Sequence, residues 1–404
     1  MNKKLSELVV RDISYGVLKP GENNPNGVPL VRINNISKSN TFIEDDMIYI
    51  TNELSNEYKR TVLTGNELLF SVVGSIGRIL DVPSELSGAN ISRALAIISP
   101  TDEINKKYLY YYLQSPNVNR YIEKEMQGNA QKVLNLSVLR NLDIPILPLK
   151  EQQKIADILS SVDAAIEKTE QVIAKTEEVK KGLMQQLLTK GIGHTEFKES
   201  LFGLIPKDWM LVSLSEVADV RDGTHDSPKY QSSGIPFITS KNLRNGKIDF
   251  SDCNYITIED HKKFSVRSFV EKGDILFGMI GTIGSPVIVD IDFDFSIKNV
   301  ALIKLNKDIV DNRYMKYLLE SNLIQKEFSR VSDGGVQKFV ALSTIRKLKV
   351  PLPNLYEQQK IAKILLNQDS YLDSQFKKLS YLQEIKKGLM QQLLTGQVRV
   401  GALC

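Results

Sequence analysis

Apolar residues recur along two stretches of this chain with the period of a helix seam. Ile155, Val162, Thr169, Thr176 and Leu183 are spaced by seven, and Leu159, Ile166, Ile173 and Leu187 fall four residues on, with Lys180 interrupting. A heptad stripe of this kind predicts a long helix laid against another helix. Pro148 marks its start, Glu151 suits its positive N-terminal end, and Gly191 and Gly193 end it. An unbroken helix over 151–189 would be about 58 Å long at ~1.5 Å per residue. A second, less regular stripe runs through Ile361, Leu365, Leu372, Leu379, Leu382, Leu389 and Leu393, broken at Gln368 and Gln375 and ended by Gly396. Ahead of each stripe the pattern changes to short apolar or β-branched runs bounded by Gly, Pro and Asn. These predict strands at 28–33, 67–73, 76–80, 94–98 and 142–147, with Pro145 placing the last near an edge. The corresponding runs downstream are 235–239, 274–280, 286–290 and 300–305. Helices are predicted at 105–126 and 312–330, so each globular part mixes α and β.

The two stretches are copies. Glu151-Gln152-Gln153-Lys154-Ile155-Ala156 recurs from Glu357 to Ala362, and Lys180-Lys181-Gly182-Leu183-Met184-Gln185-Gln186-Leu187-Leu188-Thr189 recurs from Lys386 to Thr395, both displaced by 206. The interval between the two blocks is 29 residues in each copy. One inserted residue would rotate everything downstream by ~100°, so that interval is a constraint. Upstream the likeness is weaker: Gly27-Val28-Pro29-Leu30 matches Gly234-Ile235-Pro236-Phe237, and Gly74-Ser75-Ile76-Gly77 matches Gly281-Thr282-Ile283-Gly284. Gly128, Gln131 and Lys132 match Gly334, Gln337 and Lys338. The helical segments must therefore do one job twice, while the globular parts have drifted toward two versions of another job.

Composition narrows the classes. The chain has 404 residues, 42% of them hydrophobic, which suits two to three soluble domains. No run approaches the length of a membrane helix, and the two N-terminal lysines have no apolar core behind them. With two cysteines and three histidines, neither a disulfide framework nor a dedicated zinc site is expected, and a reducing cytoplasm fits. Net charge is +4; the first 199 residues carry 24 basic against 25 acidic groups and the remainder 28 against 23. Nucleic-acid binding would have to rest on local patches. No phosphate loop, Asn-Pro-Pro-Tyr-like methyltransferase motif or dinucleotide fingerprint is present. Glu44-Asp45-Asp46 reads as a solvated turn, and no catalytic constellation is found.

Leu147-Pro148-Leu149-Lys150 leading into Glu151-Gln152-Gln153-Lys154-Ile155-Ala156, its second copy, and both Lys-Lys-Gly-Leu-Met-Gln-Gln-Leu-Leu-Thr blocks resemble the conserved regions of type I restriction–modification specificity (S) subunits. Leu204-Ile205-Pro206-Lys207-Asp208-Trp209 resembles the usual lead-in to that family's second target recognition domain; the first domain lacks it and begins at Leu5-Ser6-Glu7-Leu8. The resemblance covers essentially the whole chain. It implies an α+β fold: two mixed α/β target recognition domains separated by two long antiparallel coiled-coil helices, in a pseudo-twofold internal repeat. The expected division is 1–147 and 193–353 for the recognition domains, the second including a linker. Spacer helices are expected at 148–192 and 354–396, with a tail at 397–404. The resemblance further implies a non-catalytic subunit that reads a bipartite, asymmetric double-stranded DNA target. Modification (methyltransferase) and restriction (translocase/endonuclease) subunits would dock on it, with S-adenosylmethionine, ATP and Mg in those partners and no cofactor in this chain. For both domains to meet one face of B-DNA, half-site centres should lie ~34 Å, or about 10 bp, apart.

Base edges and phosphates are met by Arg, Lys and small polar side chains, best presented on Gly-bounded loops. In the first domain the candidates are Arg32, Asn34, Asn35, Ser75, Arg78, Asn90, Arg93, Gln131 and Lys132. In the second they are Thr239, Lys241, Asn242, Thr282, Lys298, Asn299, Gln337 and Lys338. Arg221-Asp222-Gly223-Thr224-His225-Asp226-Ser227-Pro228 reads first as a turn, and its resemblance to a loop of this family adds Thr224 and His225. Trp209 and the tyrosines 108 and 110–112 read as core, and His194 as part of a plain connector. A self-contained restriction or modification enzyme and a DNA-free tandem scaffold are the competing classes. Two copies use up the length, which weighs against the first, and a salt-dependent DNA titration separates the second.

Overall fold

The structure, a computed structural model, describes residues 2–126, 133–281, 283–332 and 339–400. The chain forms two compact units. One comprises residues 1–170 with 377–404, the other residues 171–376. The long helices Leu149–Lys190 and Leu355–Leu394 each contribute one half to each unit.

In the first unit a four-stranded antiparallel sheet has the order Ser14–Tyr15, Leu95–Ile98, Leu68–Ser71, Ile79–Asp81. A three-stranded sheet places Val28–Val31 between Ile48–Ile50, antiparallel, and Asn90–Ile91, parallel. Alternation along the strands divides the core. Leu68, Phe70, Ala96 and Ile98 face a cluster built on the tyrosines of helix Lys106–Leu113. Leu69, Leu80, Leu95 and Ile97 face Val31, Ile36, Leu63 and Ile91. The phenol oxygens of Tyr108 and Tyr112 donate to the carbonyls of Pro145 and Asp143 at 3.1 and 2.9 Å, so these rings are buried with their polar ends satisfied. The predicted helix over 105–126 is in fact two, Lys106–Leu113 and Pro116–Glu125. Pro116 disfavours the helical conformation at Ser115, whose side chain caps the second helix by accepting from the Val118 amide. Asp143–Pro145 pairs antiparallel with Asn2–Lys4.

The second unit repeats the plan. Its four-stranded sheet has the order Ala218–Asp222, Val300–Leu305, Ile275–Gly278, Gly284–Ile288. Ile235–Ile238 lies between antiparallel Asn254–Ile256 and parallel Ser296–Ile297. The predicted 312–330 helix is again divided, into Asn312–Glu320 and Asn322–Ser332, at the extended Ser321. A hairpin with no counterpart among the described residues of the first unit, Phe197–Ser200 with Gly203–Pro206, precedes the domain.

Within each unit the helix halves run antiparallel and share the domain's core. In the first, Lys386 pairs with Asp163 at 2.6 Å and Arg399 makes two 2.7 Å bonds to Glu151. In the second, Lys180 pairs with Asp369 at 2.6 Å. Ile155, Leu159, Leu393 and Leu394 belong to the first domain's cluster, and Leu187, Leu188, Ile361 and Leu365 to the second's. The buried Thr169 and Thr176 of the heptad turn their hydroxyls to the carbonyls of Ala165 and Val172, four residues back, at 2.7 Å.

These contacts account for much of the repeated sequence. The amides of Gln152 and Gln358 are fully buried. Gln152 accepts from the Asn105 amide at 2.8 Å and donates to the Leu147 carbonyl at 2.8 Å. Gln358 accepts from Asp311 at 2.9 Å and donates to Pro353 at 2.8 Å and Ile309 at 2.9 Å. Lys180, which breaks the apolar stripe, is an ion-pair partner. The Glu that opens each block receives the segment following the other long helix. Glu151 takes Arg399, while Glu357 accepts from the Ile192 amide at 2.9 Å and Trp209 Nε1 at 3.1 Å and lies 2.8 Å from His194 Nε2. His194 is therefore a clamp residue packed edge-on against Trp209, and the reading of a plain connector is corrected.

The Arg399 guanidinium holds the Glu151 carboxyl below its ordinary value of 4.5. A carboxyl depressed on folding contributes stability that is complete above the unfolded value and is lost as pH falls through the lower folded one. Protection of the amides in residues 396–400, taken against their intrinsic exchange rate at each pH, should therefore be high at neutral pH and fall away well below pH 4.5. Arg399→Ala should give low protection at every pH. Protection that persisted unchanged into strong acid, or in the variant, would contradict this attachment.

Candidate nucleic-acid interface

In each domain three segments converge at the end of the parallel strand pair. In the first, the Val17 amide donates to the Ile91 carbonyl at 2.7 Å, the Arg93 amide to Val17 at 2.9 Å, and the Ser92 amide to Val31 at 2.9 Å. In the second, Thr224 donates to Ile297 at 3.1 Å, Asn299 to Thr224 at 3.3 Å, and Lys298 to Ile238 at 2.8 Å. The crossing needs glycine. A Cβ on Gly16 would lie 1.8 Å from the Ile91 oxygen, and one on Gly223 would lie 2.3 Å from the Ile297 oxygen. The same backbone device thus presents different side chains: Leu18 and Arg93 in the first domain, His225 and Asn299 in the second.

The placements divide the candidates. Arg93 and Asn34 are exposed, and the Arg93 amide is held on the Val17 carbonyl. Arg32 is half-buried, with its guanidinium on the Asp46 carboxylate at 2.8 Å. In the second domain Lys241 is exposed, and Thr239, Lys298, Asn299 and Thr224 are half-buried around the exposed His225. Lys298 reaches the Ser227 hydroxyl, and Thr224 Oγ1 accepts from the Asp226 amide at 3.0 Å. Ser75 is exposed on a hairpin turn with positive φ at Gly74 and Gly77. The Arg78 guanidinium instead donates to the Ile36 carbonyl at 2.8 Å, holding that turn against its neighbour.

Three asparagines are scaffold, which corrects their selection as surface readers. Asn35 accepts from the Arg32 amide at 2.9 Å and donates to the Ile43 and Asp45 carbonyls at 3.1 Å each. Asn242 repeats this, accepting from Thr239 at 3.0 Å and donating to Asp249 and Asp252 at 3.2 and 3.1 Å. Asn90, fully buried, accepts from the Thr61 hydroxyl at 2.7 Å and from its neighbour's amide at 2.9 Å. Their polar atoms are spent on the fold. Gln131, Lys132, Thr282, Gln337 and Lys338 lie outside the described residues.

Two groups were not singled out in the sequence. Asp222, with its side chain 6% exposed, binds both His225 Nε2 at 2.9 Å and the Arg267 guanidinium. Asp222 lies in the Arg221–Pro228 motif, one position before Gly223. Arg267 comes from helix Ile258–Ser268, and no local pattern marks it. Among the described residues no group of three or more His, Cys, Asp or Glu could hold a metal ion, and no helix is long and apolar enough to cross a membrane.

Known proteins share this architecture. A chain from the type I R-M system whose complex assembly and conformational transition were solved superposes with TM-score 0.61 at 17% identity, covering 98% of this chain and 97% of its own. The S subunit from M. genitalium gives 0.57 at 18%, covering 97% and 95%. At these identities the likeness concerns the fold. In sequence, the putative type I restriction enzyme MjaX specificity subunit of Methanocaldococcus jannaschii is 31% identical over 393 residues, 93% of this chain and 88% of the relative. The MjaVIII specificity subunit of the same organism is 30% identical over 301 residues, 72% and 70%. The family model for the type I restriction modification DNA specificity domain matches residues 14–178 and 206–387. The chain belongs to the type I restriction–modification specificity subunits.

Proposed function

We propose that each domain reads one half of a bipartite, asymmetric duplex DNA target, and that the chain positions modification and restriction subunits without catalysing a step itself. The observation that carries this reading is the shared three-segment crossing with unlike side chains. Arg93 stands where the second domain has Asn299, Asn34 where it has Lys241, and Leu18 where it has His225. One backbone frame with exchanged donors and acceptors is what two different half-sites require. The methyl donor, ATP and Mg would belong to the partner subunits.

Docking of the modification subunits is supported by residues repeated in both copies that the fold itself leaves exposed. Lys181, Gly182, Gln185 and Gln186 recur as Lys387, Gly388, Gln391 and Gln392, all exposed. A Cβ at Gly182 or Gly388 would meet nothing within 4 Å. Glycine inside a helix costs roughly 0.5–1 kcal/mol relative to alanine, so its retention at both places calls for a neighbour from another chain.

Selection from random duplex DNA, with the chain co-expressed with its own modification subunit, should enrich a split, asymmetric motif with a fixed unread gap. An intact complex that enriches no motif would favour the scaffold reading. Arg93→Ala should lower affinity for one half-site about tenfold or more, with stability changed by no more than ~0.5 kcal/mol. Asn90→Ala should instead cost about 2–3 kcal/mol in chemical unfolding. Gly182→Ala and Gly388→Ala should each raise stability by ~0.5–1 kcal/mol while weakening co-purification of the modification subunit. Undiminished assembly in the double variant would remove that face from the docking surface.

A further inference from the structure

The imidazole of His225 stands between two groups that make different demands on it. Nε2 lies 2.9 Å from Oδ2 of Asp222, and Nδ1 lies 2.7 Å from Oδ1 of Asn299. The other Asp222 oxygen takes the Arg267 guanidinium. An ionised carboxylate can only accept, so Nε2 carries a proton. The remaining variable is the proton on Nδ1. The root of the Asn299 side chain is held beside the ring: its backbone sits at φ 53°, with its amide on Thr224 at 3.3 Å and its carbonyl under the Ser240 hydroxyl at 3.3 Å. Its side-chain amide has an oxygen on one side and NH2 on the other in nearly the same shape, and turns whichever one Nδ1 can bind.

The two states offer DNA different partners. With Nδ1 bare, an amide N–H donates to it, leaving the amide oxygen and the second N–H free. That pair complements the N6 and N7 edge of adenine. With Nδ1 protonated, the amide turns so that its oxygen accepts from the ring through one lone pair, and donor and acceptor exchange places along the edge that faces the base, so the order that fits adenine N6 and N7 is reversed. We propose that His225 is a positioning residue that selects the hydrogen-bond polarity Asn299 shows to a base edge. This rests on the reading of the surface as DNA-facing. The charged groups around the ring are Asp222 on its strand, Arg267 and Lys263 from helix Ile258–Ser268, Asp226 paired with Lys263 at 3.4 Å, and Lys298 on the turn. The first domain holds Leu18 and Arg93 at these places, and arginine is a donor in every state, so the first half-site is an internal control.

The test is selection from random duplexes by the complex with its modification subunit, at about pH 6 and about pH 8. Wild type is compared with His225→Gln and His225→Leu. A glutamine there donates to Asp222 and accepts from Asn299, a fixed copy of the neutral ring. The leucine is the residue the first domain already accommodates. In wild type, one base pair of the second half-site should change preference by about tenfold or more between the two pH values. His225→Gln should show the alkaline preference at both, and His225→Leu should lose discrimination at that pair. The first half-site should stay constant throughout, which reports that each complex is intact. The same base chosen by all three proteins at both pH values would overturn the proposal and leave the DNA-reading role standing. No split motif from wild type at either pH would overturn both.

Discussion

One carboxylate in each unit joins three parts of the chain. Asp163 accepts from the Tyr111 phenol at 2.8 Å and pairs with Lys386 at 2.6 Å. Asp369 does the same with Tyr317 at 2.6 Å and Lys180 at 2.6 Å. In both, the lysine also lies over the tyrosine ring, 5.7 and 5.8 Å from its centre. Burial pushes both phenols well above their ordinary value, so they remain donors to the carboxylate at any physiological pH. Partly buried pairs of this kind do more for register than for net stability. A slip of one residue turns a helix by ~100° and takes the aspartate from both partners at once. The fixed 29-residue interval from Glu151 to Lys180, and again from Glu357 to Lys386, is the trace of that demand in the sequence.

The long helices and the duplication were legible because they are local: period, caps and repeat spacing need no tertiary partner. The observed bounds, Leu149–Lys190 and Leu355–Leu394, fall within about two residues of the periodic stretches with their flanking Pro and Gly. The short strands Ser14–Tyr15, Asn90–Ile91 and Ser296–Ile297 were not legible, since two residues carry no period. Among the candidate site residues the failure has one cause. An asparagine beside a glycine-bounded strand looks the same whether it reads a base or ties down a loop. Asn35, Asn90 and Asn242 do the second, and only their hydrogen-bond partners, up to 35 residues away, reveal it. His194 was misread for the same reason, as its partner Glu357 is 163 positions distant.

The crossing loops separate what must stay from what can change. Gly16 and Gly223 are held by the approach of a neighbouring carbonyl, and Asn35 and Asn242 by the loop they close. The exposed positions between them carry no such obligation. Leu18, at 55% exposure, shows how freely that position varies beside its counterpart His225. A frame of this kind tolerates new side chains at the surface because their loss or gain leaves the buried bonds intact.

The division of the chain also sets an order of events during synthesis. The second unit is continuous, residues 171–376, and can fold once that stretch has left the ribosome. The first unit needs residues 377–400 as well as the N-terminal part, so the domain made first is finished last. Closing a loop of that length in an unfolded chain would cost about 5 kcal/mol by the (3/2)RT ln n rule. The folded second unit already holds Lys180 against Asp369, so the two segments that enter the first unit emerge side by side. A nascent chain truncated before residue 377 would carry a complete second domain and a first domain whose core still lacks Met390, Leu393 and Leu394.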